Sequence, residues 1–190
     1  MPSRRWLAVL ATLSPVLAHA TEPAQHSTVL LSPVASSCIS SPFGPRVLPN
    51  RPLAGTYHYG VDMPAAAGEA VRAAAAGHVI RIQRKGPGGL EVLVQHDGFV
   101  GVYSHLGMVT PALAEGKTEL AAGEKLGVVG HSGLTYGMHL YFEMLLSGRP
   151  VDPAPYLGVP LCNGGIRRAR ADMLASDGKI PPTRHYARLD

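Results

Sequence analysis

Three side chains able to bind a metal or move a proton sit at alternate positions in the stretch GMHLYFEM, residues 137–144. Successive side chains on a strand point to opposite faces, so His139, Tyr141 and Glu143 would share one face, with Leu140, Phe142 and Met144 on the other. An imidazole, a phenol and a carboxylate in one row are the donors of a metal site or of acid–base chemistry.

Two other short stretches carry related groups. In HYGVD, His58 and Asp62 are four residues apart. A helix would place them on one face, but Gly55, Gly60 and Pro64 disfavour a helix there. A straight strand would separate them by roughly 13 Å, too far to share an ion. A bend at Gly60 is therefore required, and with it the pair becomes two ligands of a zinc-type site with nitrogen and oxygen donors. In YSHL, Tyr103 and His105 are expected on one strand face, roughly 7 Å apart at the backbone, close enough to lean toward one ion or one water. His131, near Gly130 and Gly133, is a fourth histidine at a turn. His78 and His96 read as ordinary strand-end residues, and His19, His26 and His185 fall in unpatterned ends. Taken singly, each strand histidine reads as a half-buried side chain with a satisfied hydrogen bond.

The elements that must position these groups are strands. The runs 70–74, 77–83, 90–96, 99–106, 125–130 and 138–146 are short, often alternating, and rich in valine, isoleucine and aromatics. Turn sequences separate them, among them KGPGG, HDG, AAGE and HSG. Such spacing predicts a mostly β fold with a small antiparallel sheet core rather than a helical bundle. PALAEG, residues 111–116, predicts one helical turn.

With 46% hydrophobic and 16% charged residues in 190, the chain is long and apolar enough for one domain with a real core. Residues 1–20 have two arginines, an apolar run from Trp6 to Leu17 and then Ala18-His19-Ala20, the form of a cleaved export leader. The run is too short for a membrane span, which needs roughly 20 apolar residues. Export to the periplasm or cell envelope is the expectation, with no membrane attachment after cleavage. Loss of Arg4 and Arg5 lowers the formal charge from +4 to +2, too little to imply a nucleic-acid partner. Arg167, Arg168 and Arg170 read as a solvated helix face. An oxidising compartment makes a Cys38–Cys162 disulfide the expectation over two buried thiols.

The segments SPFGPRVLP (41–49), HYGVDMPAAAGEAVRAAAAGHVI (58–80), VLVQHDGFVGVYSHL (92–106) and AAGEKLGVVGHSGLTYGMHLYFEMLLSGRPVDPAPYL (121–157) resemble, in sequence and in order, the M23 zinc endopeptidases of the LytM and lysostaphin type. The resemblance covers about residues 38–158. A lead-in at 21–37 precedes that span, and a tail at 159–190 with a short helix pattern near 166–175 follows it. It implies a β barrel-sandwich hybrid with a groove, and cleavage of peptide bonds in peptidoglycan stems or cross-bridges. The family's HxxxD motif matches His58 and Asp62, which it makes the first two ligands of one zinc ion. The histidines of its YxHL motif and the first of its HxH motif match His105 and His139, which it assigns to the zinc-bound water and the developing oxyanion. The third ligand's place holds Tyr141, with Glu143 on the same face as a substitute donor. A phenol must lose its proton to bind zinc, at about 4 kcal/mol at pH 7. Two functions follow: a working zinc endopeptidase, or a degenerate relative that binds peptidoglycan or regulates another cell-wall hydrolase. A secreted β-domain with no wall role is the blandest reading.

Overall fold

The computed structural model describes residues 29–162 apart from 36, 37, 50, 52 and 53, so the expected leader at 1–20 and the expected helix near 166–175 lie outside the described residues. The described elements run in chain order β1 (Gly44–Pro45), β2 (Tyr57–His58), β3 (Val61–Pro64), β4 (Ala70–Arg72), β5 (Gly77–Lys85), β6 (Gly89–His96) and β7 (Val100–Val109). They continue with α1 (Pro111–Ala114), β8 (Glu119–Leu120), β9 (Lys125–Val129), β10 (His139–Leu146), β11 (Arg149–Val151) and α2 (Ala154–Leu157). The six valine-rich runs are all strands, and the PALA turn is helical, as expected.

Nine strands form one sheet in the order β11-β10-β7-β6-β5-β8, with β3 added to β10, β9 to β7 and β4 to β9. Every pairing between these strands is antiparallel. β1 and β2 form a separate two-stranded ribbon. The fold is mostly β and antiparallel, in agreement with the sequence.

β6, β7 and β10 are buried along nearly their whole length, so both of their faces are covered. One face packs into the main core around Val61, Met63, Val92, Tyr103, Leu140 and Phe142. The other carries a small apolar cluster of Leu93, Val100, Val102 and Leu145. Polar groups also lie buried on this sheet: Glu91 accepts from Gln83 Nε2 at 2.7 Å and from Ser104 Oγ at 2.8 Å. Two donors on one carboxylate meet the requirement that a buried charge be hydrogen-bonded.

Cys38 and Cys162 are bridged. Closing a loop with a sequence separation of 124 contributes about 4 to 5 kcal/mol in the chain-entropy account.

His96 and Tyr103 form a second buried polar unit. His96 Nδ1–H donates to the Ala76 carbonyl at 2.9 Å, its Nε2 lies 3.1 Å from the Tyr103 hydroxyl, and that oxygen accepts from Ala74 N–H at 2.9 Å. The chain of donors closes only if Tyr103 donates to a neutral His96. Burial lowers the His96 pKa, while the Ala76 carbonyl partly offsets it. Burial likewise raises the Tyr103 phenol well above its ordinary range. A histidine whose folded pKa is depressed leaves the unfolded chain binding more protons, so stability falls as pH drops below about 6.5. His96→Gln is expected to flatten this acid limb. Urea midpoints at pH 7.5 and 5.5 would check it; an equal drop in variant and parent assigns the limb elsewhere.

Candidate active site

The bend that the HYGVD stretch requires is present. β2 ends at His58, and after Tyr59 and Gly60 the chain re-enters the sheet as β3 beside β10. A Cβ on Gly60 would meet the Phe142 carbonyl oxygen at 2.4 Å, so only glycine lets the bend press against β10. The turn brings His58 Nε2 to 3.2 Å from Asp62 Oδ1. Register then sets Asp62 opposite Tyr141, and Tyr141 opposite Ser104 on β7.

His105 reaches the site by another device. The β6–β7 register slips between the Leu90 and Val92 pairs, and His105 takes φ of 63°, a left-handed conformation unusual for a residue with a Cβ. The expected sharing of a face by Tyr103 and His105 does not hold. Tyr103 points into the main core against Phe142, while His105 turns to the face of Tyr141 and His139. Strand alternation fails because the left-handed residue reverses the side chain's direction.

The backbone of His105 is held by two hydrogen bonds, N–H to the Gly88 carbonyl at 2.9 Å and its own carbonyl from Gly130 N–H at 3.0 Å. Its ring lies edge-on to His139, 4.9 Å between centroids, and 6.1 Å from the Tyr141 ring. The His58 and Tyr141 rings are 5.2 Å apart. His58, Asp62, His105, His139 and Tyr141 therefore gather at one place. His131 is exposed on the loop between β9 and β10, outside this group.

The three imidazoles share one orientation. His58 Nδ1 lies 2.9 Å from the Pro42 carbonyl, His105 Nδ1 2.9 Å from that of Ser132, and His139 Nδ1 3.0 Å from that of Gly137. A carbonyl oxygen only accepts, so each Nδ1 carries the proton and each Nε2 is the nitrogen left for chemistry. His58 and His139 both turn Nε2 toward Asp62 Oδ1, at 3.2 and 3.3 Å. A lone pair cannot face a carboxylate at that distance without a proton or a cation between them.

Asp62 is the electrostatic hub, with Arg46 Nη1 3.7 Å from its Oδ2. Burial alone would raise its pKa, but the hydrogen bonds and charges of His139 and His58 hold it far below the usual carboxylate range. For His139 burial works downward, and Asp62 outweighs it and raises the pKa. His105 is lowered, chiefly by burial.

A zinc ion placed about 2.0 to 2.1 Å from two tetrahedral ligands separates their donor atoms by about 3.3 Å. The 3.2 Å between His58 Nε2 and Asp62 Oδ1 fits that spacing. Nδ1–H on a carbonyl is also the usual support of a metal-binding imidazole. Among the described residues no group of three His, Cys, Asp or Glu side chains is placed to hold a metal ion. The Tyr141 hydroxyl donates to Glu143 Oε2 at 2.8 Å, and Glu143 is fully buried. His58 and Asp62 fit an ion at two positions, and the phenol of the neighbouring Tyr141 is engaged by a carboxylate.

Sequence reasoning did not single out Arg46, whose Nη1 donates to Ser41 Oγ at 2.9 Å and Nη2 to the Ala54 carbonyl at 2.8 Å. It lies 16 positions before Asp62 on a segment with no strand pattern. The supporting carbonyls of Pro42, Ser132 and Gly137 are backbone atoms and leave no mark in side-chain spacing.

The sequence profile of peptidase family M23 matches residues 56–153. The DD-carboxypeptidase/endopeptidase Mpg of Neisseria meningitidis serogroup B is 36% identical over 126 residues, 65% of this chain and 28% of that protein. The murein hydrolase activator NlpD of Salmonella typhimurium is 29% identical over 139 residues, 72% of this chain and 35% of that protein. A zinc-containing peptidase from Vibrio cholerae, known as a crystal structure, matches with a TM-score of 0.54 at 30% identity, over 63% of this chain and 37% of that one. The chain thus spans about a third or less of the length of the two curated relatives, 28% and 35%. With a profile covering half of its length, a shared antiparallel fold and the HxxxD histidine and aspartate drawn together by the bend at Gly60, the chain belongs to peptidase family M23.

Proposed function

We propose that this chain is an exported peptidoglycan endopeptidase that works with one zinc ion, held by His58, Asp62 and, at a cost in affinity, Tyr141. The observation that carries the reading is the common orientation of His58, His105 and His139, each with Nδ1–H on a backbone carbonyl. A wall-binding module with no chemistry to perform has no physical use for that arrangement. Its relatives' names support peptidoglycan as the substrate, and the leader at 1–20 supports the periplasm or cell envelope as the place.

Bound zinc would supply a Lewis acid and an acidified water. The chain's own residues do the rest. His105, kept neutral by burial, takes a proton at Nε2 and can return it to the departing amine. His139, drawn toward its protonated form by Asp62, offers an Nε2–H where oxyanion charge develops. Asp62 keeps its charge across the working pH range.

His139→Ala is expected to lower muropeptide release by about a hundredfold or more, a typical loss for an oxyanion donor, without lowering metal content. Digestion of purified peptidoglycan with metal analysis of the same samples checks both parts. Undiminished release by the variant would end the assignment of His139.

A second reading has its own support. The Tyr141 hydroxyl already has an acceptor in Glu143, which opposes recruitment to a metal. In that reading the domain binds peptidoglycan and acts on another wall hydrolase. A mature protein that takes up no zinc up to pH 9 and still pellets with peptidoglycan would decide for it.

A further inference from the structure

The segment from Cys38 to Arg46 lies outside the nine-stranded sheet, yet it touches both metal-ligand candidates on the HYGVD bend. Ser40 N–H donates to the Asp62 carbonyl, and Asp62 N–H donates to the Ser41 carbonyl, each at 2.9 Å. Pro42 supplies the carbonyl on His58 Nδ1. Gly44 and Pro45 pair with His58 and Tyr57, and Arg46 faces the Asp62 carboxylate.

At its other end this segment is tied to the C-terminal part of the described chain. Ile39 N–H donates to the Pro160 carbonyl at 2.8 Å, Cys162 N–H donates to the Ile39 carbonyl at 2.9 Å, and the disulfide joins Cys38 to Cys162. Both cysteines fall outside residues 56–153, which the family profile matches. The nine-stranded sheet closes without either of them.

We propose that the Cys38–Cys162 disulfide, beyond the stability it lends the fold, is a positioning device for the site. It fixes the end of the segment that sets the His58 tautomer and aligns the Asp62 backbone. Three hydrogen bonds of about 3 Å depend on where that segment lies, and a displacement of 1 Å is enough to cost a site its function. The sheet, with its own core, does not depend on it to the same degree.

The test compares the oxidised protein, the protein reduced with dithiothreitol, and the Cys38→Ser/Cys162→Ser double variant. Dithiothreitol gives two electrons and two protons, converting the bridge to two thiols and leaving as its own cyclic disulfide. The first readout is the His58 Nδ1–H resonance in NMR, whose exchange with water is expected to quicken about tenfold or more on reduction. Backbone chemical shifts of β6 and β7 are expected to stay as in the oxidised protein, because the sheet closes without either cysteine. The second readout, which rests on the peptidoglycan reading, is co-sedimentation with purified peptidoglycan, expected to fall about tenfold. Unchanged His58 exchange in reduced protein overturns the proposal. So do chemical-shift changes through β6 and β7 as large as those at His58, which would mean that the bridge shapes the whole sheet. If the oxidised protein fails to sediment with peptidoglycan, the wall reading fails while the His58 readout still decides the role of the bridge.

Discussion

Tyr141→His is expected to raise zinc affinity at pH 7 by about a thousandfold and to raise muropeptide release with it. The first part of the effect is the proton. A phenol, whose ordinary pKa is about 10, must be ionised to bind, which for an unperturbed group at pH 7 costs about 4 kcal/mol, while a neutral imidazole has nothing to lose. The second part is geometry. An imidazole has two nitrogens, so a histidine at 141 could keep a donor on Glu143 and still turn the other nitrogen to the centre. A phenol has one oxygen, and here it donates to Glu143. The variant would thus repeat the support seen at His58 and place a buried carboxylate behind a metal-binding imidazole. Competition against a chromophoric chelator between pH 6.5 and 9 measures it. Parent affinity should rise with pH more steeply than variant affinity, because the parent releases one proton more on binding. Equal affinities with parallel pH dependence would show that Tyr141 does not belong to the metal's surroundings.

Gly133→Ala is expected to destabilise the protein by about 3 to 5 kcal/mol and to displace His105. Gly133 has φ of 77°, and a Cβ there would meet the Pro87 carbonyl oxygen at 2.3 Å and Gly89 N at 2.5 Å. These neighbours are backbone atoms of the β5–β6 turn, so no side chain can swing aside. The same loop contact carries the site. Leu134 N–H donates to the Pro87 carbonyl, Leu90 N–H to Ser132 Oγ, and Ser132 presents its carbonyl to His105 Nδ1. Forcing the loops apart therefore removes the support of a reactive imidazole as well as packing. Chemical denaturation gives the stability change, and the His105 Nδ1–H resonance reports the displacement. A variant within 1 kcal/mol of the parent, with that resonance intact, would mean that the loops are looser than this packing implies.

Much of this architecture was legible because its causes are local. Valine-rich runs broken by glycine turns became strands, and the HYGVD spacing made sense only with a bend, which Gly60 supplies. His58, Asp62, His105, His139 and Tyr141 were all legible as a set, and the fold brings them to one place. The errors and omissions have non-local causes. Alternation misplaced Tyr103 relative to His105, because the side chain's direction depends on one left-handed residue held by Gly88 and Gly130. Arg46 was invisible because its relation to Asp62 exists only once β1 lies on β2. The partner of the Tyr141 hydroxyl was half visible: Glu143 lay on the predicted face, but its complete burial depends on the covered second side of β10.

The order of strands also governs when the molecule can act. β10 sits between β7 on one side and β3 and β11 on the other, although it is among the last strands to be synthesised. Until it docks, Asp62 lacks its strand neighbour and His105 faces no second imidazole, because His139 arrives with β10. A nascent or truncated chain ending before residue 139 would be an incomplete sheet in which β7 lacks its β10 neighbour, β3 has no partner strand and the centre is not assembled. The centre is therefore completed in one late step, when β10 brings His139 and Tyr141 against Asp62 and His105.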